Sequence, residues 1–168
     1  MHLHTVTRIA LTALVLAIVT AACAATSSRG AFVHDVIDGD TLIIVINHRR
    51  EHVRLLGIDT PETKHPTKPI ECFGPEAATY LDSLLPTGTP VVAVRDVEAR
   101  DHFGRLLLHL FLPSSTGRGE IHVNAALVHG GFARLLSIPP NHAFADALGA
   151  ALVEARTARR GLWGACTQ

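Results

Sequence analysis

The sequence of 168 residues carries no net charge and has few cysteines, the residues that cross-link small folds. Lysine and arginine together number 15, and aspartate and glutamate also number 15. A chain with no net charge offers a polyanion no overall attraction, so a nucleic-acid partner must be held by a local group of cations. Only three cysteines are present, which excludes a disulfide-dense scaffold.

Common transition-metal and calcium motifs are also missing. The 11 histidines are scattered, and neither an HExxH nor a Cys-x-x-Cys arrangement occurs, so we predict no zinc site. An EF-hand is excluded because Val45 stands where that loop requires its glutamate. A metal bound by this chain therefore needs ligands from separate segments.

No hydrophobic run is long enough to span a bilayer. The apolar stretch Ile9 to Val19 follows a cationic start ending at Arg8, and it is well short of the roughly 20 residues that a membrane helix needs. Small residues follow, up to Ala25. This pattern is typical of a signal peptide, so we predict export of a secreted, extracellular domain spanning 26–168, with 1–25 removed.

A lipoprotein signal is the alternative at this junction. Cys23 would then become the lipidated first residue and anchor the protein at the cell surface, although Thr20 matches such a signal only weakly. This anchor is the only membrane contact that the sequence suggests.

The remaining residues are enough for one domain with a real hydrophobic core. Without the leader the chain keeps Cys72 and Cys166, which can pair in an oxidising compartment. The alternative is two free buried thiols.

The apolar patterning predicts an α+β domain with five strands and three helices. The strands are predicted at Phe32–Ile37, Thr41–Ile46, Glu51–Ile58, Pro90–Val97 and Arg105–Leu112, and the helices at Gly74–Leu85, Val123–His129 and Asn141–Arg160. Five short, apolar, antiparallel strands suit a small closed barrel such as the oligonucleotide/oligosaccharide-binding (OB) fold. Spacing alone does not establish that closure.

Arg54 interrupts the third of these strands, between Val53 and Leu55. Burying a guanidinium costs several kcal/mol unless a partner meets it. Arg54 is therefore either a paired structural charge or a cation that faces a cleft where an anion binds.

Carboxylates close to such arginines suggest metal-assisted hydrolysis of a phosphodiester. A hard divalent cation prefers oxygen ligands, which Asp40, Asp59 and the carbonyl of Thr60 can supply. Arg54 and Arg105 offer rigid forks for the phosphate oxygens.

Glu62 completes this set as a base that could take a proton from the attacking water. Each of the segments that carry these residues is, by itself, typical of an ordinary turn or of the end of a strand. Their combination is what points to catalysis.

Six motifs in this order resemble the staphylococcal thermonuclease family: IDGDT, VRLLGIDTPETKHP, FGPEA, DHFGR, VNAALVHGG and LWG. The similarity runs from about Phe32 to Trp163. It implies a five-stranded OB-fold barrel with three helices. It also implies a secreted, Ca²⁺-dependent nuclease that acts on DNA and RNA and leaves 3′-phosphate ends.

The resemblance also implies a role for each site residue. Asp40, Asp59 and Thr60 would bind calcium, with Asp38 and Thr41 beside them. By the same resemblance, the residues that hold the phosphate and act as base would be Arg54, Arg105 and Glu62.

The chain departs from the family pattern at several aromatic positions. His102 and Phe103 stand where the family has lysine and tyrosine, and Leu135–Pro140 replaces a tyrosine-bearing segment. Since base stacking on an aromatic can contribute about 1–3 kcal/mol, base preference is left open.

Two other function classes compete with the nuclease hypothesis. A noncatalytic OB-fold module that binds nucleic acid would keep the barrel, but it would not need the complete set of side chains. A calcium-dependent adhesion protein would give no reason for Arg54 and Arg105. The sequence implies no protein partner, and we expect a monomer.

Overall fold

A computed structural model describes residues 27–63, 69–113 and 120–166. The predicted signal peptide and Cys23 lie outside these residues. In the described part of the chain, no helix has the length and apolar character to cross a membrane.

Eight strands and four helices make up the described chain. The strands are β1 (Ser27–Asp38), β2 (Thr41–Ile46), β3 (Arg49–Leu55), β4 (Ile58–Asp59), β5 (Pro90–Val94), β6 (Leu106–Leu112), β7 (Ile121–His122) and β8 (Arg134–Leu135). The helices are α1 (Gly74–Leu84), α2 (Val123–His129), α3 (Ala145–Thr157) and α4 (Leu162–Ala165). The α+β class and the three main helices are confirmed, and α4 is an additional single turn.

Five strands close into the predicted barrel. The hydrogen-bonded order is β3-β2-β1-β5-β6, and β3 also pairs with β6. That last pairing is parallel, whereas the sequence had suggested antiparallel strands throughout. A parallel pair needs a long crossover, which α1 and β5 provide between β3 and β6.

The parallel seam decides which side chains enter the barrel. Val53 pairs with Leu106 and Leu55 with Leu108, and all four are buried in the core cluster. Because successive side chains alternate between faces, Arg54 lies on the outer face of the seam. The arginine is therefore buried without occupying the barrel interior.

A buried amide fixes α2 against this seam. The Asn124 Nδ2 atom donates to the carbonyls of Leu56 (2.9 Å) and Leu108 (3.3 Å), and its Oδ1 accepts the N–H of Leu110 (3.0 Å). Asn124 is fully buried, so these bonds satisfy its own amide and tie α2 to the backbone of Leu56 and of β6.

The last long helix begins later than the sequence predicts. Asn141 is held in a loop, because its Oδ1 accepts the N–H of Glu98 (2.9 Å) and its backbone forms a bridge with Ile138. Helix α3 starts only at Ala145 and ends at Thr157. The third strand is also shorter than expected, since Gly57 makes a turn at φ 77°.

Cys72 and Cys166 form a disulfide across a sequence separation of 94 residues. The bond ties the segment after α4 to the loop that precedes α1. Because Cys72 lies two residues before α1, which packs on β1, the bond ties the segment after α4 covalently to the body of the fold.

We expect the double variant Cys72→Ser/Cys166→Ser to lose about 4 kcal/mol in the free energy of unfolding, because the cross-link restricts the unfolded chain. Urea unfolding of the oxidised wild type, the reduced wild type and the variant measures this. The reduced wild type should match the variant. A loss under about 1 kcal/mol would contradict a stabilising role for the bond.

His109 and His122 lie next to each other and against the ring of Phe144, just before α3. The Nδ1 atom of His109 lies 3.2 Å from the Nε2 atom of His122, and the His109 ring contacts that of Phe144 at 4.5 Å between centroids. Burial, together with the neighbouring His122, lowers the pKa of His109 from 6.5 to about 4. Burial has the same effect on the pKa of His122.

We predict that stability falls as the pH drops from about 6.5 toward about 4. In this range the two histidines are protonated in the unfolded chain but stay neutral in the folded protein, so protons favour the unfolded state. Replacing His109 with Phe should reduce the slope of unfolding free energy against pH by up to about 1.4 kcal/mol per pH unit. Urea titrations across this range measure the slope. His52→Gln, at an exposed position, is the control, and an unchanged slope in the His109 variant would contradict this cause.

Candidate active site

The tight turn between β1 and β2 carries the first acidic residues of the site. Asp38 Oδ1 accepts the N–H of Gly39 and the hydroxyl of Thr63, each at 2.8 Å. A Cβ at Gly39 would come within 2.8 Å of Thr60 Oγ1 and 2.9 Å of Ala77. Only glycine lets the turn approach Thr60 and α1 this closely.

The Arg54 guanidinium binds two aspartates at once. Its Nη1 lies 3.0 Å from Asp40 Oδ2, and its Nη2 lies 2.9 Å from Asp59 Oδ1. Nη1 also donates to the carbonyls of Leu55 (3.1 Å) and Ile58 (2.8 Å). These four acceptors compensate the burial of a side chain that is only 8% exposed.

Asp40 is the fixed carboxylate of this pair. Its Oδ2 also accepts the N–H of Thr60 (3.0 Å), and its Oδ1 accepts the hydroxyl of Thr41 (2.9 Å). The Asp40 carbonyl accepts the N–H of Leu55 (2.9 Å). Asp40 therefore joins the β1–β2 turn, the end of β3 and the segment after β4.

Asp59 is the solvent-facing carboxylate, with its side chain 51% exposed. Partial burial raises the pKa of Asp59, and the nearby carboxylates of Asp40 and Glu71 raise it further. Arg54 and Arg134 act in the opposite direction. A cation placed at this carboxylate would favour its ionised form.

Glu62 is half-buried in the loop that follows β4. Its Oε1 accepts the N–H of Thr63 (3.0 Å), and its backbone exchanges hydrogen bonds with Glu71 (2.9 and 3.4 Å). Thr60 is bonded to Asp40 on one side of Glu62, and Thr63 is bonded to Asp38 on the other. The backbone on both sides of Glu62 is therefore held against the β1–β2 turn that carries Asp38 and Asp40.

Arg105 is held in its own loop, one residue before β6. Its Nε donates to Asp101 Oδ2 (2.7 Å), its backbone N–H donates to Asp101 Oδ1 (2.9 Å), and its guanidinium lies 5.4 Å from the centre of the Phe103 ring. In the described residues it makes no ion pair with Asp40 or Asp59.

The parallel register relates this loop to Arg54. Leu107 pairs with Arg54, and Arg105 precedes Leu107 by two residues, so alternation gives both arginines the same face of the seam. Burial opposes ionisation of Asp101, but the hydrogen bonds from Arg105 outweigh it and lower the pKa of that carboxyl.

The structure adds two residues to the predicted set. Asp101 orients Arg105, and Asn124 holds the seam that carries both arginines. An aspartate four residues before an arginine, with a glycine between them, is a signal that could have identified Asp101. Asn124 has no such local signal, because its partners are more than ten residues away.

The oxygen atoms of this site match the ligands of a hard cation. No group of three His, Cys, Asp or Glu side chains suited to a metal occurs among the residues that the structure describes. The candidate metal ligands are therefore the carboxylates of Asp40 and Asp59, which bind one guanidinium, and the carbonyl oxygen of Thr60. Two carboxylates and a carbonyl fit calcium or magnesium, with water completing the coordination, and do not fit a thiolate- or imidazole-preferring metal.

Comparison with known proteins finds relatives of this chain. Residues 52–165 match the family model described as "Staphylococcal nuclease homologue". The chain is 35% identical over 128 residues to a thermonuclease of Staphylococcus intermedius, covering 76% of this chain and 72% of the relative. A thermonuclease of Staphylococcus hyicus is 30% identical over the same shares of both chains. Endonuclease YncB of Bacillus subtilis is 29% identical, with 76% of this chain and 58% of the relative covered.

Proposed function

The chain belongs to the staphylococcal nuclease homologue family, and from that premise we propose that it is an exported, Ca²⁺-dependent nuclease. It hydrolyses phosphodiester bonds of DNA and RNA and leaves 3′-phosphate ends. The observation that carries this proposal is the contact of Arg54 with both Asp40 and Asp59. Few structural roles require two carboxylates and a rigid cation at one edge of a barrel.

Asp40, Asp59 and the Thr60 carbonyl are the residues that would hold the calcium ion. Bound there, the ion supplies Lewis-acid polarisation of a phosphate oxygen. The Thr41 hydroxyl holds the Asp40 carboxylate in place, and Asp38 accepts the hydroxyl of Thr63, the residue after Glu62. With so few protein ligands we expect weak affinity, on the order of 10⁻⁴ to 10⁻³ M.

Arg54 orients the substrate phosphate. Nη1 is directed by Asp40 and by two backbone carbonyls and one N–H of Nη2 by Asp59, which leaves Nε–H and the second N–H of Nη2 as a fork for phosphate oxygens. Because the side chain is almost buried, its charge acts through a medium of lower dielectric than water. The added negative charge of the transition state is therefore stabilised strongly.

Glu62 and Arg105 complete the reaction. Glu62 takes a proton as water oxygen bonds to phosphorus, and the bond from phosphorus to the 5′ oxygen breaks. Arg105, directed by Asp101, offers a second fork to the phosphate oxygens. The 5′ oxygen leaves with a proton from solvent, and the phosphate stays on the 3′ side.

The nuclease test uses single-stranded DNA and RNA with Ca²⁺, Mg²⁺ or a chelator. We expect cleavage with Ca²⁺ to 3′-phosphate ends and none with the chelator. Arg54→Lys should keep the fold but lower kcat by about 100-fold or more, since a lysine cannot reproduce the fork. End analysis by mass spectrometry and steady-state kinetics provide the readouts.

The control for this test is Arg159→Lys, a conservative change outside the site that should leave kcat unchanged. Near-normal turnover in a folded Arg54→Lys variant would contradict the role of the arginine. Binding of nucleic acid without any cleavage would instead support the noncatalytic OB-fold module.

Export is the second part of the proposal, and two features support it. The leader pattern of 1–25 is that of a signal peptide. The Cys72–Cys166 disulfide suits an oxidising compartment. The mature enzyme then acts as a monomer outside the cell.

Expression of the full chain in a bacterial host should yield a product that begins near residue 26 and is found outside the cytoplasm. Intact mass and N-terminal sequencing measure the cleavage point. Replacing Cys23 with Ala should leave this product unchanged. A mature protein that begins at a lipidated Cys23 would show surface anchoring, and retention of 1–25 would contradict export.

A further inference from the structure

One end of the barrel carries a concave site that the proposed reaction does not use. The site has a volume of about 370 Å³ and is lined by three arginines, Arg49, Arg95 and Arg100, together with Glu51, over a floor that includes Ile46 and Leu106. We call these three arginines and Glu51 the arginine basin.

The basin has more positive charge than its single acid neutralises. Arg100 Nη1 contacts Glu51 Oε2 at 2.9 Å, and within the described residues Arg49 and Arg95 make no ion pair. The hydrogen bond from Arg100 is the main reason that the pKa of Glu51 is lowered, and the charges of Arg49 and Arg95 add to it. Three cations around one carboxylate leave about two positive charges in one hollow of a chain whose net charge is zero.

Such a cluster favours an anionic ligand. Like charges in a concave site repel one another, and the low-dielectric wall behind them focuses their field outward. Arg49, Arg95 and Arg100 are exposed, so they can reach a ligand in solution. Arginine forks also match phosphate oxygens better than a single ammonium does.

The basin is joined to the loop that carries Arg105. Arg100 Nη1 donates to the carbonyl of Gly104 (2.7 Å), and the Arg100 backbone forms a bridge with Leu106. On the same loop Phe103 is 72% exposed, and its ring lies beside the Arg105 guanidinium. Cations interleaved with an exposed aromatic are typical of a surface that binds a single nucleic-acid strand.

We propose that the arginine basin binds the backbone phosphates of a single-stranded DNA or RNA substrate, next to the phosphate that is cleaved. The strand passes from the Arg54–Arg105 face over Phe103 to the end of the barrel. This inference rests on the proposed nuclease function, and it adds that longer strands bind more tightly than dinucleotides because they reach the basin.

The test compares Arg49→Gln/Arg95→Gln with the wild type for binding of a labelled single strand of about 12 nucleotides. A chelator prevents cleavage, and fluorescence anisotropy across a salt series gives the dissociation constant. We expect binding at least about 10-fold weaker and a slope of log K against log salt shallower by about 1.4, since each lost phosphate contact removes about 0.7.

Arg159→Gln is the control, because it removes the same charge from an exposed position just after α3, on a segment that does not line the basin. It should retain wild-type binding. Arg49→Lys/Arg95→Lys should keep most of the salt slope, because the charge is retained. If the double Gln variant does not fold, the single variants Arg49→Gln and Arg95→Gln replace it in the binding test. Each should show half of the change in salt slope.

Kinetics separate this inference from the nuclease proposal. Cleavage of a dinucleotide should be equal in the wild type and the double Gln variant, whereas kcat/KM for the longer strand should fall at least about 10-fold in the variant. Equal binding in the wild type and the double Gln variant, or an equal loss in Arg159→Gln, would overturn the proposed role of the basin even if cleavage is observed. Basin-dependent binding without cleavage would overturn only the nuclease.

Two further binding measurements identify which phosphate-containing ligand the arginine basin recognises. Inorganic phosphate at the concentration of the strand's phosphates should not displace the strand. Vesicles of phosphatidylglycerol should bind the wild type and the double Gln variant equally. Loss of vesicle binding with retention of strand binding would show a membrane site and overturn the inference.

Discussion

The ion pairs between Arg54 and the two aspartates hold together the part of the molecule where the chemistry is proposed. Asp40 comes from the turn after β1, and Asp59 is the last residue of β4. Removing Arg54 would leave two carboxylates without their cation in a partly buried site, a change that typically costs about 3–5 kcal/mol. The same contacts thus stabilise the barrel edge and position the candidate ligands, so structural and functional roles of Arg54 are not alternatives.

The parallel seam between β3 and β6 decides where both arginines lie. Val53 and Leu55 turn inward against Leu106 and Leu108, which directs Arg54 to the outer face. The buried amide of Asn124 bonds the carbonyl of Leu108 in β6 and that of Leu56, the residue after β3. A core contact far from any catalytic group therefore contributes to the placement of the site.

The overall neutrality of the chain is compatible with a polyanionic substrate because its charges are segregated. Carboxylates gather around Arg54, and a surplus of arginines lines the end of the barrel. At physiological salt the field of exposed charges decays over about 8 Å. Only cations close to the bound strand then matter, and net charge is a poor guide to the partner of this protein.

Patterns of short range in the sequence were sufficient for much of this structure. The period of two in β2 and β3, the glycine-containing turns and the helical spacing of α1 and α2 are local, so they can be recognised from neighbouring residues. The start of α3, the parallel closure of the barrel, the role of Asn124 and the arginine basin depended on tertiary structure. These features are set by which atoms meet across long separations, and the free energy of burying a charge or an amide depends on those partners rather than on its neighbours along the chain.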